Sequence, residues 1–116
     1  MSVVIYHNPK CSKSRETLAL LEQNSVQPEV IKYLEAPLSV ELLKTLYAQL
    51  GVASVRDMMR TKEDVYKELS LGDASVSDDQ LFAAMVENPK LIERPIVVAN
   101  GKARLGRPPE QVLEIL

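Results

Sequence analysis

Residues 4–16, VIYHNPKCSKSRE, constrain this chain more than any other stretch: an apolar strand breaks at a proline, and one cysteine stands at the mouth of a helix. Val3, Val4, Ile5 and Tyr6 form a β-branched and aromatic run. Asn8-Pro9 ends it, because proline removes a ladder donor and disfavours a helical residue before it. From Ser12 the pattern turns helical, with Leu18, Leu20 and Leu21 on an apolar face and Ser12 or Ser14 available as N-cap. Cys11 therefore falls at a helix N-terminus. Unpaired N–H groups and the positive end of the helix dipole there favour thiolate over thiol, and the same donors suit an incoming oxyanion.

A lone cysteine is more often a small buried hydrophobe. The neighbours of this one are His7, Asn8, Lys10, Ser12, Lys13, Ser14 and Arg15, a polar and cationic set that fits badly around a core position and well around a reactive thiol. His7, the single histidine, has three readings from position alone: a cation that lowers the thiol pKa, a hydrogen-bonding group for a ligand, or a strand-end residue without a role. Lys10 and Lys13 read as solvated charges.

A chain of 116 residues fits one domain whose core needs no disulfide or metal. One Cys and one His exclude an internal disulfide and leave no metal ligand set. No basic n-region followed by a long apolar run opens the sequence, and no segment reaches membrane-spanning length, so the expectation is a cytoplasmic protein whose thiol stays reduced. The net charge of −2 is unevenly spread: +1 over residues 1–34, −5 over 35–93 and +2 over 94–116. That distribution offers no strong basic face for nucleic acid, but it is compatible with a few arginines converging on a small anion.

Beyond the first helix, a Pro28 turn leads to an extended run, Val30 to Leu34, and strand, helix and strand in so short a span predict a parallel crossover. Glu35-Ala36-Pro37 punctuates the chain. Ser39 then reads as the N-cap of a helix carrying Leu43, Leu46, Tyr47 and Leu50, ended by Gly51. Residues 52–88 predict short helical pieces: Ser54 to Arg60, a second around Val65, Tyr66 and Leu69, and a third around Leu81, Phe82 and Met85 capped near Ser77. Asn88-Pro89 stops the series. The expectation is one domain over 1–116 with an acidic helical insertion at about 38–90, packed on one end of the sheet and too fragmented to hold its own core.

Arg94-Pro95 opens a second β portion. Ile96 to Ala99 and Lys102 to Leu105 flank Asn100-Gly101, the strongest short-range hairpin signal. Gly106-Arg107-Pro108-Pro109 leads into a last helix with Val112, Leu113 and Leu116 on its apolar face. The order is β-α-β, a helical insertion, then β-β-α. This predicts an α/β thioredoxin-like fold, a mixed sheet with helices on its faces.

The segment from His7 to Arg15 (HNPKCSKSR), Arg60 in the insertion, and RPIVV…GR from Arg94 to Arg107 resemble the glutaredoxin-coupled arsenate reductase family across almost the whole chain. The resemblance implies Cys11 as nucleophile, with His7 near its thiolate and Ser14 as hydrogen-bond partner. It implies Arg60, Arg94 and Arg107 as anion-binding side chains, and Pro95 as a structural cis-proline facing the active-site loop. It further implies that Cys11 attacks arsenate, that glutathione as co-substrate attacks the thiol–arsenic adduct, and that glutaredoxin releases arsenite, with no bound cofactor or metal. Arginine forks would replace the hydration of the oxyanion and offset its repulsion of a thiolate. Ser14 stands where a dithiol CxxC motif has its second cysteine, so the resolving thiol must come from outside.

Two other readings stay open on the sequence. One is a monothiol oxidoreductase acting on glutathionylated substrates, its arginines binding glutathione carboxylates. The other is a non-enzymatic protein-binding regulator resembling the Spx-type proteins.

Overall fold

A computed structural model of the chain describes residues 3–35 and 38–116. Ala36 and Pro37, part of the predicted break after Glu35, lie outside the described residues. The chain divides into two compact units, a sheet unit of residues 1–37 with 94–116 and a helical unit of residues 38–93.

In the sheet unit, β1 (Val3–Tyr6) runs parallel to β2 (Glu29–Ile31) and antiparallel to β3 (Ile96–Ala99), which pairs with β4 (Lys102–Leu105) in the order β2-β1-β3-β4. Strand side chains alternate between faces, so Val3 and Ile5 of β1 share a face with their partners Ala99 and Val97 of β3. That face packs against Leu21 of α1 (Ser12–Gln23) and against Val112 and Ile115 of the closing turn. Ile5 is fully buried there, and truncating such a side chain to alanine costs about 2–5 kcal/mol. Its packing fixes the strand from which the cysteine loop departs. Asn100 and Gly101 take φ of 54° and 75°, the left-handed pair that the Asn-Gly signal predicts for the β3–β4 hairpin.

Three local expectations are corrected. The second strand is Glu29–Ile31 instead of Val30 to Leu34. The Lys32 carbonyl accepts the Glu35 N–H, closing a turn, and Tyr33 is buried within it. The last segment, Pro109–Ile115, is a 3₁₀ helix and not an α-helix. Three residues per turn align Val112 with Ile115 and leave Leu113 exposed, whereas a 3.6 period put Leu113 on the inner face. At the start of α1 neither Ser12 nor Ser14 is the N-cap; Cys11 itself occupies that position, with φ −94° and ψ 124°.

The helical unit follows its caps. Ser39 accepts the Leu42 N–H to start α2 (Val40–Leu50), and Gly51, at φ 68°, ends it. Leu43, Leu46 and Leu50 form its buried stripe. A 3₁₀ turn over Val55–Met58 and the helix α4 (Asp78–Glu87) each begin with a reciprocal capping box, Ser54 with Asp57 and Ser77 with Gln80. Between them lies the short α3 (Asp64–Glu68). Asn88-Pro89 ends α4, but a further 3₁₀ turn, Pro89–Leu91, follows before Ile92 bridges to Met59.

Candidate active site

The cysteine loop of the sheet unit is held by backbone and side-chain hydrogen bonds within residues 8–15. The Cys11 N–H donates to the Asn8 carbonyl at 3.0 Å, the Lys10 N–H donates to Asn8 Oδ1 at 3.0 Å, and Arg15 Nη1 donates to the Pro9 carbonyl at 2.9 Å. These bonds turn the chain sharply between β1 and α1. Asn8 is buried to do so. Cys11 stands at the N-cap without a side-chain capping hydrogen bond, and the N–H groups of Lys13 and Ser14 favour its thiolate electrostatically.

Two arginines approach the sulfur. Arg107 Nη2 lies 3.7 Å from Cys11 Sγ, while its Nε donates to the Arg94 carbonyl at 3.0 Å. The charge of the Arg94 guanidinium bears on both Cys11 and Tyr33. Burial pushes the Cys11 pKa up, but the Ser14 N–H, the Arg94 hydrogen bond, the Lys13 N–H and the Arg94 charge outweigh it, so the thiol lies below its ordinary value. Arg94 responds in the opposite sense. Burial pulls its pKa down, yet its hydrogen bond to Cys11 and its interaction with Tyr33 leave it raised and firmly cationic.

Ser14 is completely buried and His7 is 6 % exposed. The His7 ring contacts the Ser14 hydroxyl, which also accepts the Asn8 N–H, so the Ser14 hydroxyl serves the loop and its backbone N–H serves the sulfur. Burial, then the charges of Lys32 and Arg15, lower the His7 pKa. A neutral imidazole at pH 7 is not the cation that stabilises the thiolate. The hydrogen bond that the His7 ring makes in the structure is to Ser14.

Pro95 follows a cis peptide bond from Arg94 and packs beside Gly106, whose N–H donates to the Pro95 carbonyl at 3.0 Å. A Cβ at Gly106 would collide with Thr17 Oγ1 and come within 2.7 Å of Pro95 Cγ. Glycine lets β4 end against α1 and the proline, which sets the origin of the Arg107 side chain. Arg60 belongs to the helical unit, where its Nε donates to Glu63 at 3.2 Å. Arg104, on β4, pairs with Glu114 at 3.1 Å.

One cysteine at a helix N-terminus, two guanidiniums near its sulfur and a cis-proline lie in the same unit. A sequence profile of the ArsC family matches residues 6–115. The chain belongs to the ArsC family. Its ArsC relatives span the full length: an arsenate reductase of Haemophilus influenzae is 55 % identical over all of both chains. The uncharacterized protein YfgD of Escherichia coli strain K12 is 65 % identical over 98 % of this chain and 96 % of its own. Among solved structures, an arsenate reductase from Vibrio cholerae superposes with a TM-score of 0.98 at 75 % identity, covering 100 % of this chain and 98 % of that one. The ArsC fold is the α/β, thioredoxin-like mixed sheet expected from the order of elements.

Sequence reasoning missed Tyr33, Asn8 and Thr17. Tyr33 looked like a strand residue of β2, and nothing local marks it as a partner of an arginine 61 positions further on. Asn8 carried a usable signal, since an Asn before Pro often folds its side chain onto the following backbone. Thr17 is buried with its hydroxyl on the Lys13 carbonyl at 2.8 Å, and its packing against Gly106 is a purely tertiary fact. Among the described residues no cluster of His, Cys, Asp and Glu is arranged to hold a metal, and no helix is long and apolar enough to cross a membrane.

Proposed function

We propose that this protein reduces arsenate to arsenite, with Cys11 as the nucleophile and glutathione and glutaredoxin as the source of electrons. The observation that carries the reading is the pair of guanidiniums, Arg94 and Arg107, on a cysteine sulfur that also receives helix N-terminal N–H groups. A thiolate attacking an anion meets like-charge repulsion, and these cations offset it where the new bond forms. The arsenate reductase names of the relatives from Haemophilus influenzae and Vibrio cholerae support the substrate.

In the first step the Cys11 sulfur bonds to arsenic and an arsenate oxygen leaves as water, taking up the protons. Glutathione next attacks the arsenic, displacing a second oxygen as water, and arsenic remains pentavalent. The glutaredoxin thiolate then attacks the glutathione sulfur. The electron pair of the sulfur–arsenic bond stays on arsenic, which becomes trivalent, and a glutaredoxin–glutathione disulfide forms. Water finally displaces the Cys11 thiolate and frees arsenite. Arg94 and Arg107 hold the oxygens and keep the Cys11 sulfur a good nucleophile and leaving group throughout. Arg60 enters this reading through the family resemblance alone. A reducing cytoplasm belongs to the proposal as well, because the free thiol must persist.

An assay coupling arsenate-dependent glutathione oxidation to glutathione reductase tests the reading. Turnover in the native protein and none in Cys11→Ser supports it. A native protein that lacks turnover on arsenate while reducing glutathionylated peptides would replace it with the monothiol oxidoreductase.

A further inference from the structure

Cys11 is the sole cysteine, so the second thiol of any cycle arrives on another molecule and needs somewhere to sit. The loop that presents Cys11 has a second side, away from the helix. There Pro9, Lys10, Lys32, Leu34 and Glu35 line a cleft of about 240 Å³. Lys32 and Glu35 also line a second hollow of about 410 Å³ with Val30 and Ile31 of β2, the edge strand of the sheet. The cleft touches the reactive loop and runs out along a strand with an open side.

Its chemistry is uneven in a specific way. Pro9 and Leu34 offer an apolar surface, and Leu34 is 46 % exposed. Around them stand two ammonium groups, Lys10 and Lys32, and one carboxylate, Glu35, none of which is engaged in an ion pair among the described residues. Lys32 faces the loop closely enough for its charge to bear on the His7 ring. Lys10 precedes the nucleophile directly, and its N–H is fixed by Asn8 Oδ1 at 3.0 Å, which sets the direction of that residue.

We infer that this cleft between residues 7–10 and residues 32–35 is the subsite for glutathione, with Lys10 and Lys32 taking its two carboxylates, Glu35 taking its ammonium, and its backbone lying along the free edge of β2. Glutathione carries two carboxylates, one ammonium and peptide groups on either side of a central thiol, which matches the charges of the cleft one for one. Extended peptide against an open strand edge is a common way for short peptides to bind. The assignment rests on the proposed use of glutathione as co-substrate.

The test uses ophthalmate, which has a methyl group in place of the glutathione thiol and binds without reacting. Titrated into the isotopically labelled native chain, it is expected to shift the amide resonances of His7, Asn8, Lys10 and residues 30–35. In the double variant Lys10→Gln, Lys32→Gln the dissociation constant is expected to rise roughly fivefold to tenfold, as for two exposed charge pairs. The KM for glutathione should rise alongside it while that for 2-mercaptoethanol, which has no charges to read, does not. Shifts confined to α1 and the closing 3₁₀ helix, no binding, or an unaltered affinity in the double variant would each overturn the subsite. Because ophthalmate binding needs no arsenate, a chain that binds it in the cleft yet fails to reduce arsenate would keep this subsite and lose the proposed substrate.

Discussion

The Ser14 hydroxyl oxygen lies 2.6 Å from His7 Nδ1 and accepts the Asn8 N–H at 3.0 Å, with all three residues buried. One oxygen thereby ties the end of β1, the turn and the first turn of α1 into a single unit. The same residue sends its backbone N–H toward the Cys11 sulfur. Loop rigidity and thiolate stabilisation therefore reside on different atoms of Ser14, and substitution separates them.

Ser14→Ala leaves the His7 ring nitrogen and the Asn8 N–H without their shared partner. A buried polar group deprived of its hydrogen bond costs about 1–3 kcal/mol. The variant should lose stability of that order in urea unfolding, while the pH midpoint of Cys11 alkylation moves little, since the N–H remains. A large upward move of that midpoint would show that the hydroxyl, and not the backbone, governs the thiol.

Arg94 interacts electrostatically with both Cys11 and Tyr33. Its removal should raise the thiol pKa, seen as an alkylation profile displaced to higher pH in Arg94→Ala. Tyr33, at 1 % exposure, also acts on the Arg94 charge, so Tyr33→Phe should displace the profile in the same direction by less. An unshifted profile in Tyr33→Phe would confine the tyrosine to packing.

His7 has a pKa below its ordinary value of 6.5. The unfolded chain then binds a proton more readily than the folded one, and between the folded pKa and about 6.5 stability rises with pH. The contribution is complete above that window and is lost as pH falls through it. His7→Gln lacks this titration. The stability advantage of the native protein over His7→Gln should therefore shrink on going from pH 8 to pH 5, measured by urea midpoints in both. A constant gap would contradict the neutral imidazole.

Gly106→Ala forces a methyl group into Thr17 and Pro95. Overpacking of this kind costs about 1–3 kcal/mol. The displaced backbone also carries Arg107, so lost stability should come with a raised KM for arsenate. A variant as stable as the native chain would mean that Pro95 and Thr17 have room to yield.

Legibility in the sequence followed the range of the interactions. Asn100-Gly101, Ser39 and Ser77 announced a hairpin and two helix starts because their chemistry acts within four residues. The strand–proline–cysteine–helix order placed Cys11 correctly for the same reason. The extent of β2 and the 3₁₀ character of the last segment were hidden, since the first depends on the turn that buries Tyr33 and the second on which apolar residues the sheet receives. In the site, Arg94 and Arg107 were chosen through the family resemblance; as isolated loop arginines they looked like many others. The division of Ser14 between His7 and the sulfur required coordinates.

Single-turnover reduction of arsenate, with the protein in excess and glutathione and glutaredoxin present, tests the central claim most directly when native protein, Cys11→Ser and Arg107→Ala are compared at matched folding. The account predicts arsenite from the native chain, none from Cys11→Ser, and a rate lower by about 10²–10³ in Arg107→Ala, as for loss of a donor that stabilises developing charge. No arsenite from a native protein whose thiol titrates low, or undiminished arsenite from Cys11→Ser, would contradict it.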